Sequence, residues 1–198
     1  TRGLIALSQV RGITEETTKK IQIGIDNLIA KQKLSGAFGY WDRNSAVYER
    51  FQPYAVDTLQ KTLPFANDKE KVKAAIKNGL EYLYRTSFRD AETKLYSYGL
   101  LAKAGYEVTS RARYSIDQEL NNDVVQYVMP PKDLATYIDD LVLSYWVAAN
   151  LNDTKRMLQI AETARFALER RTLDEPIIQF VSGSWISAQK PQVSELWN

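Results

Sequence analysis

The sequence predicts an all-α fold built from helical hairpins, and three observations carry that expectation. Apolar residues recur at helical spacing in nearly every segment, period-two alternation is scarce, and a pattern of helix cores repeats. The cores Tyr54-Ala55-Val56, Tyr98-Gly99-Leu100 and Tyr145-Trp146-Val147 are separated by 44 (54 to 98) and then 47 (98 to 145) residues, the usual period of stacked helix pairs. Such pairs bury their faces only against neighbours, so they extend as a superhelix or close into an α/α toroid. Periodicity does not choose between the two, because curvature depends on small rotations per repeat.

The first helix is expected after Thr14, a side chain able to cap it, with Glu15 and Glu16 at the positive end of its dipole. Ile21, Ile25, Leu28, Ile29 and Gln32 form its stripe. Val47, Phe51, Tyr54, Ala55 and Leu59 form the next, running to Pro64. Asp68 can cap a third helix carrying Val72, Ile76, Leu80, Leu83 and Tyr84, and Leu95, Tyr98, Leu101 and Ala102 mark a fourth that stops at Gly105. The stretch from Ser110 to Tyr127 has no clear pattern. Pro130-Pro131 then precedes a strong helix with Leu134, Ile138, Leu141, Tyr145 and Ala148, ending near Asn150. Met157, Ile160, Ala161, Ala164 and Leu168 give a sixth, and the tail from Pro176 through Ile177-Ile178 to Trp185 fits a helix or a short strand equally.

Composition narrows the chemistry. The 198 residues are 44% hydrophobic and 25% charged, enough apolar material for one substantial core without a disulfide or metal staple. Cysteine and histidine are both absent. That removes Ser-His-Asp and Cys-His nucleophilic systems, Cys/His zinc sites, haem ligation, Fe–S clusters and imidazole catalysis from what this chain does alone, and no cofactor is expected. The 26 basic and 24 acidic residues are mixed along the chain, so no dense basic run offers a nucleic-acid surface. No stretch approaches the roughly eighteen apolar residues of a membrane span. Zero cysteine is compatible with cytoplasm or periplasm alike.

The most informative local string is Gln32-Lys33-Leu34-Ser35-Gly36-Ala37-Phe38-Gly39-Tyr40-Trp41-Asp42. Two glycines allow positive φ or close backbone approach, and three aromatics are costly to leave in water. It is expected to be a packed turn with Phe38 or Trp41 inward, so that Trp41→Ala lowers thermal stability; an aromatic ligand platform is the functional alternative.

Other candidates lead to no catalytic assignment. Asp139 and Asp140 are adjacent, so on a helix they diverge by about 100° and do not converge on one atom. The Asp-Asp-x-x-Asp pattern of class I terpene synthases is not completed by Leu143 and Ser144, and the Asp-x-Asp-Asp pattern of class II cyclases fails at Tyr137. Both aspartates read as a solvated helix face. Asp90 and Glu92 suit the positive end of a helix better than an acid pair. The 12 tyrosines fall largely on helices, where a phenol can sit in the core or line a carbohydrate groove. Arg170-Arg171 and Lys190-Pro191 read as exposed surface.

The string from Gln32 to Trp41 resembles the Gln-x-x-x-Gly-x-Phe-Gly-x-Trp turn in the thioester domain of bacterial alpha-2-macroglobulins. Ala75 to Leu83 is similar to the family helix that follows. Ser97-Tyr98-Gly99-Leu100-Leu101-Ala102-Lys103-Ala104-Gly105 resembles its Tyr-Ala-Leu-Tyr-Val-Leu-Ala-x-x-Gly helix, and Leu134 to Asp153 a later one. The likeness covers about residues 1 to 170, and the glycine-aromatic turn is its most specific part.

That resemblance implies a fold and a role. The fold is an α/α toroid of terpenoid-cyclase-like kind, incomplete here, with residues 1–198 a single all-α domain fragment whose tail from about 176 is undefined. Thr1-Arg2-Gly3-Leu4 is similar to the stretch just after the family's Gly-Cys-x-Glu-Gln-Thr motif, so the chain is expected to begin just past the thioester. In that family a cysteine thiol and a glutamine acyl group form a shielded thioester, exposed when a protease cuts a bait segment, and an attacking nucleophile is then acylated. Neither partner is in this sequence, so no residue here inherits either role. With no histidine to form an acyl-imidazole, direct attack by lysine amines is the implied chemistry.

The expected function is thus non-enzymatic: a thioester-type domain fragment of a bacterial alpha-2-macroglobulin-like protease inhibitor, periplasmic or in the cell envelope. Its partners would be target proteases, through a longer parent possessing a lipid anchor, and other domains of the same chain. The alternatives are an α/α-toroid enzyme acting on carbohydrate or isoprenoid substrates, which needs inward-facing carboxylates with one pKa raised, and a helical-repeat scaffold that binds proteins. No catalytic, cofactor-binding or metal-binding residue is assigned.

Overall fold

Short polar side chains, Thr14 and Asp68, start two of the helices at the expected places. A computed structural model of the chain describes residues 14–120 and 131–169. The chain is all-α; among the described residues the extended pairing is confined to an isolated antiparallel bridge between Gln32 and Phe38. Two compact units divide at Glu107 and Val108.

In the first unit, α1 (Glu15–Ala30) begins where the Thr14 hydroxyl accepts from the Thr17 amide at 3.1 Å. Glu15 and Glu16 pair with Lys19 and Lys20 one turn on, and Ile21 and Ile25 are buried. The second helix, α2 (Phe51–Thr62), starts later than the stripe from Val47 implies, because Pro53 has no amide hydrogen and is tolerated only in a first turn. It is buried nearly all round, polar Gln52, Asp57, Thr58 and Thr62 included. Thr58 and Thr62 satisfy their hydroxyls on carbonyls one turn back, Tyr54 at 2.6 Å and Thr58 at 2.9 Å. A short 3-10 turn, Leu63–Phe65, follows.

Asp68 caps α3 (Lys69–Arg85), accepting from the Lys71 amide at 2.9 Å, and the helix buries Val72, Ala75, Ile76, Gly79, Leu80 and Leu83 along one face. Asp90 caps α4 (Ala91–Lys103) through the Thr93 amide at 2.9 Å. That helix ends in a Schellman turn: Gly105 at φ +83 donates to the Ala102 carbonyl, and Tyr106 donates to Leu101. Within the unit, α1 packs on α2 and α3, and α2 packs on α3 and α4. Arg50 pairs with Asp90, Tyr54 with Glu92 and Asp57 with Tyr96. Both numbers of each pair rise together, so α2 and α4 run parallel, one hairpin apart.

The second unit holds α5 (Thr109–Leu120), α6 (Pro131–Asn150) and α7 (Thr154–Glu169), with α6 packed on both others. Ala112, Ile116, Tyr137, Leu141, Leu143, Val147, Ala148 and Ile160 form its core. α6 ends in the same turn type as α4, with Asn152 at φ 54 donating to Ala149 and Asp153 donating to Ala148. Asp153 then caps α7, its carboxylate accepting from the Arg156 amide at 3.3 Å. Arg113 donates to Asp153 at 2.8 Å, and Arg156 forks onto Asp117 at 2.9 and 2.7 Å. These rising pairs make α5 and α7 parallel.

α5 fills part of the stretch from Ser110 to Tyr127 that the sequence left unpatterned. Residues 1–13, whose first four resemble the stretch just after the thioester motif, lie outside the described residues, as does the tail from 176. No helix among the described residues is long and apolar enough to cross a membrane.

Candidate functional site

The turn after α1 is built by two glycines, two glutamines and one buried ring. The chain reverses as the Gly36 amide donates to Lys33 and the Lys33 amide to Ala37, and the Gly39 amide returns to the Lys31 carbonyl. Gly36 has φ +89, and a Cβ there would stand 2.1 Å from the Asn78 carbonyl oxygen on α3. Only glycine meets both demands. At Gly39 a Cβ would fall 1.8 Å from the Asp42 carbonyl oxygen.

Phe38 is 1% exposed. Its backbone is held as a neighbouring strand would hold it: the amide donates to Gln52 Oε1 at 2.7 Å, and the carbonyl accepts from Gln52 Nε2 at 2.9 Å. Gln52 Nε2 also donates to the Tyr48 carbonyl at 3.0 Å, so this fully buried amide is satisfied. Gln32 does the corresponding work toward α3, donating from Nε2 to Gly36 at 3.1 Å and to Ala75 at 2.8 Å. Gly79 leaves the floor open: a Cβ there would lie 2.7 Å from Val56 and 3.3 Å from the Phe38 ring. One short turn thereby locks α1, α2 and α3 together.

Trp41 corrects part of the sequence expectation. Phe38 is the inward aromatic, whereas Trp41 is 75% exposed, set edge-on to Tyr40 with centroids 4.7 Å apart. Tyr48 tilts against Tyr40 at 4.8 Å, so Tyr40, Trp41 and Tyr48 form an exposed aromatic group. The reason is local. Ser45 Oγ accepts from the Trp41 and Asp42 amides, and Asp42 Oδ1 accepts from the Asn44 and Ser45 amides. A loop closed on itself in this way turns the Trp41 ring outward.

A polar cluster between α2 and α4 escaped the sequence reading. Buried Asp57 accepts from the Tyr96 hydroxyl at 2.7 Å and pairs with Lys61 at 2.9 Å. Glu92 accepts from the Tyr54 hydroxyl at 2.8 Å, and the two tyrosine rings meet edge-to-face at 4.8 Å. Asp57 stands amid apolar residues of one helix, and its partner is 39 positions away, so no local pattern announces it. Asp90 caps α4 and Glu92 lies in its first turn, at the helix N-terminus as expected, and they also tie to Arg50 at the start of α2 and to Tyr54 within it. Burial raises the Asp90 carboxyl, but hydrogen bonds from Thr93 and the ion pair with Arg50 outweigh it and leave the group below its usual range. Asp153 is lowered likewise: burial acts upward, and Arg156 and Arg113 prevail. A general acid needs the opposite shift.

Asp139 and Asp140 are half-buried on α6 rather than fully solvated. Among the described residues, no group of His, Cys, Asp and Glu could hold a metal ion. Ring contacts in the first unit include the Tyr40 group, the Tyr54–Tyr96 pair and the Tyr84–Tyr106 pair. Burial, with the Glu119 carboxylate adding to it, pushes the Tyr137 phenol up. Its hydroxyl and that of Ser144 are buried on one stripe of α6 without a hydrogen-bond partner.

No protein-family model, no curated protein and no solved structure matches this chain.

Proposed function

We propose that this chain is a thioester-type α/α-toroid domain of a bacterial alpha-2-macroglobulin-like protease inhibitor, with a binding and scaffolding role and no turnover of its own. One observation carries the reading. Gln32, Gly36, Phe38 and Gly39, four of the five residues that define the resemblance to that family's turn, each have a distinct structural task at the joint of α1, α2 and α3. That each of these residue types is used in the packing of the turn supports the reading.

Two further features accord with it. Parallel neighbours one hairpin apart, α2 with α4 and α5 with α7, are compatible with a toroid, as they are with an open superhelix. The carboxylates of Asp57, Glu92, Asp90 and Asp153 are engaged by phenols or cations in helix-to-helix ties. Under this proposal the domain works in the periplasm or cell envelope, within a longer parent possessing a lipid anchor. It meets target proteases only through that parent, and it packs on other domains of the same chain.

A first test is the coding sequence immediately upstream of Thr1. Gly-Cys-x-Glu-Gln there supports a thioester-forming parent. An unrelated upstream segment, combined with polysaccharide or prenyl diphosphate turnover lost on changing Asp139 or Asp140, would replace this reading with a toroid enzyme.

A further inference from the structure

We draw no further inference here: the strongest candidate, the exposed aromatic group of Tyr40, Trp41 and Tyr48 on the loop between α1 and α2, is an apolar face with nothing in the structure to show what covers it.

Discussion

Arg113 donates to Asp153 from forty positions earlier in the chain, the same separation that joins Arg50 to Asp90. In both cases the aspartate is the residue that caps a helix, so one carboxylate starts a helix and fastens it to the parallel helix one hairpin before. The two ties differ in setting. The Asp153 side chain is 7% exposed against 27% for Asp90, and Arg113 is 46% exposed against 72% for Arg50.

That difference sets the first prediction. Asp153→Asn keeps an N-cap and one acceptor oxygen but removes the buried negative charge that faces Arg113 and Arg156, and should cost about 1.5–3 kcal/mol in urea melts. Arg50→Ala, at an exposed pair, should cost below about 1 kcal/mol. The folded Asp153 carboxyl lies below its unfolded value. Its contribution is therefore present above the unfolded pKa near 4 and lost as pH falls through the folded one. Asp153→Asn should flatten the acid limb of the stability profile. A substitution that leaves both midpoint and acid limb unchanged shows that the tie holds nothing.

Gly36 and Gly105 separate backbone strain from collision. Both sit at positive φ, but a Cβ at Gly105 meets nothing within 4 Å, and at Gly36 it strikes the α3 backbone. Gly105→Ala should cost about 1 kcal/mol. Gly36→Ala should cost at least about 2 kcal/mol more, since the turn must lift off α3. Equal losses at the two positions would mean that the turn does not rest on Asn78.

For the aromatic turn, Phe38→Ala should lose about 3–5 kcal/mol by emptying a closed space against Val56 and Gly79. Trp41→Ala should move the thermal midpoint little, because most of its ring is already in water. The reverse order would place Trp41 in the core and Phe38 at the surface.

Much of this fold was legible because helix starts are written locally. Thr14 and Asp68 are short polar residues ahead of apolar stripes, and each caps the helix it was assigned. Gly105, where the fourth helix was expected to stop, closes α4. α5 was not legible, since among its residues only Ala112 and Ile116 are buried, a single turn of periodicity. At the turn, the glycines and Phe38 were readable as residue types. Gln52 was not, because its amide matters only once the chain has brought Phe38 to it from 14 positions away. The direction of Trp41 depends on a Ser45 and Asp42 network that hydrophobicity does not encode.

Ser144 offers a test in the stabilising direction. Its hydroxyl is buried in mid-helix without a partner. Ser144→Ala removes a desolvated polar atom and improves helix propensity, so stability should hold or rise by about 1 kcal/mol. A loss of that size in chemical denaturation would reveal a hydrogen bond at Ser144 that this packing does not contain.

The functional proposal is tested most directly by treating the full-length parent with methylamine and titrating free thiol. A thioester-type inhibitor should release one thiol per chain, and with protease it should form a conjugate that survives denaturant, while the 198-residue chain, which has no cysteine, does neither. A parent that carries the Gly-Cys-x-Glu-Gln cysteine yet releases no thiol with the amine would contradict the thioester mechanism and leave a steric trap or a helical scaffold in its place.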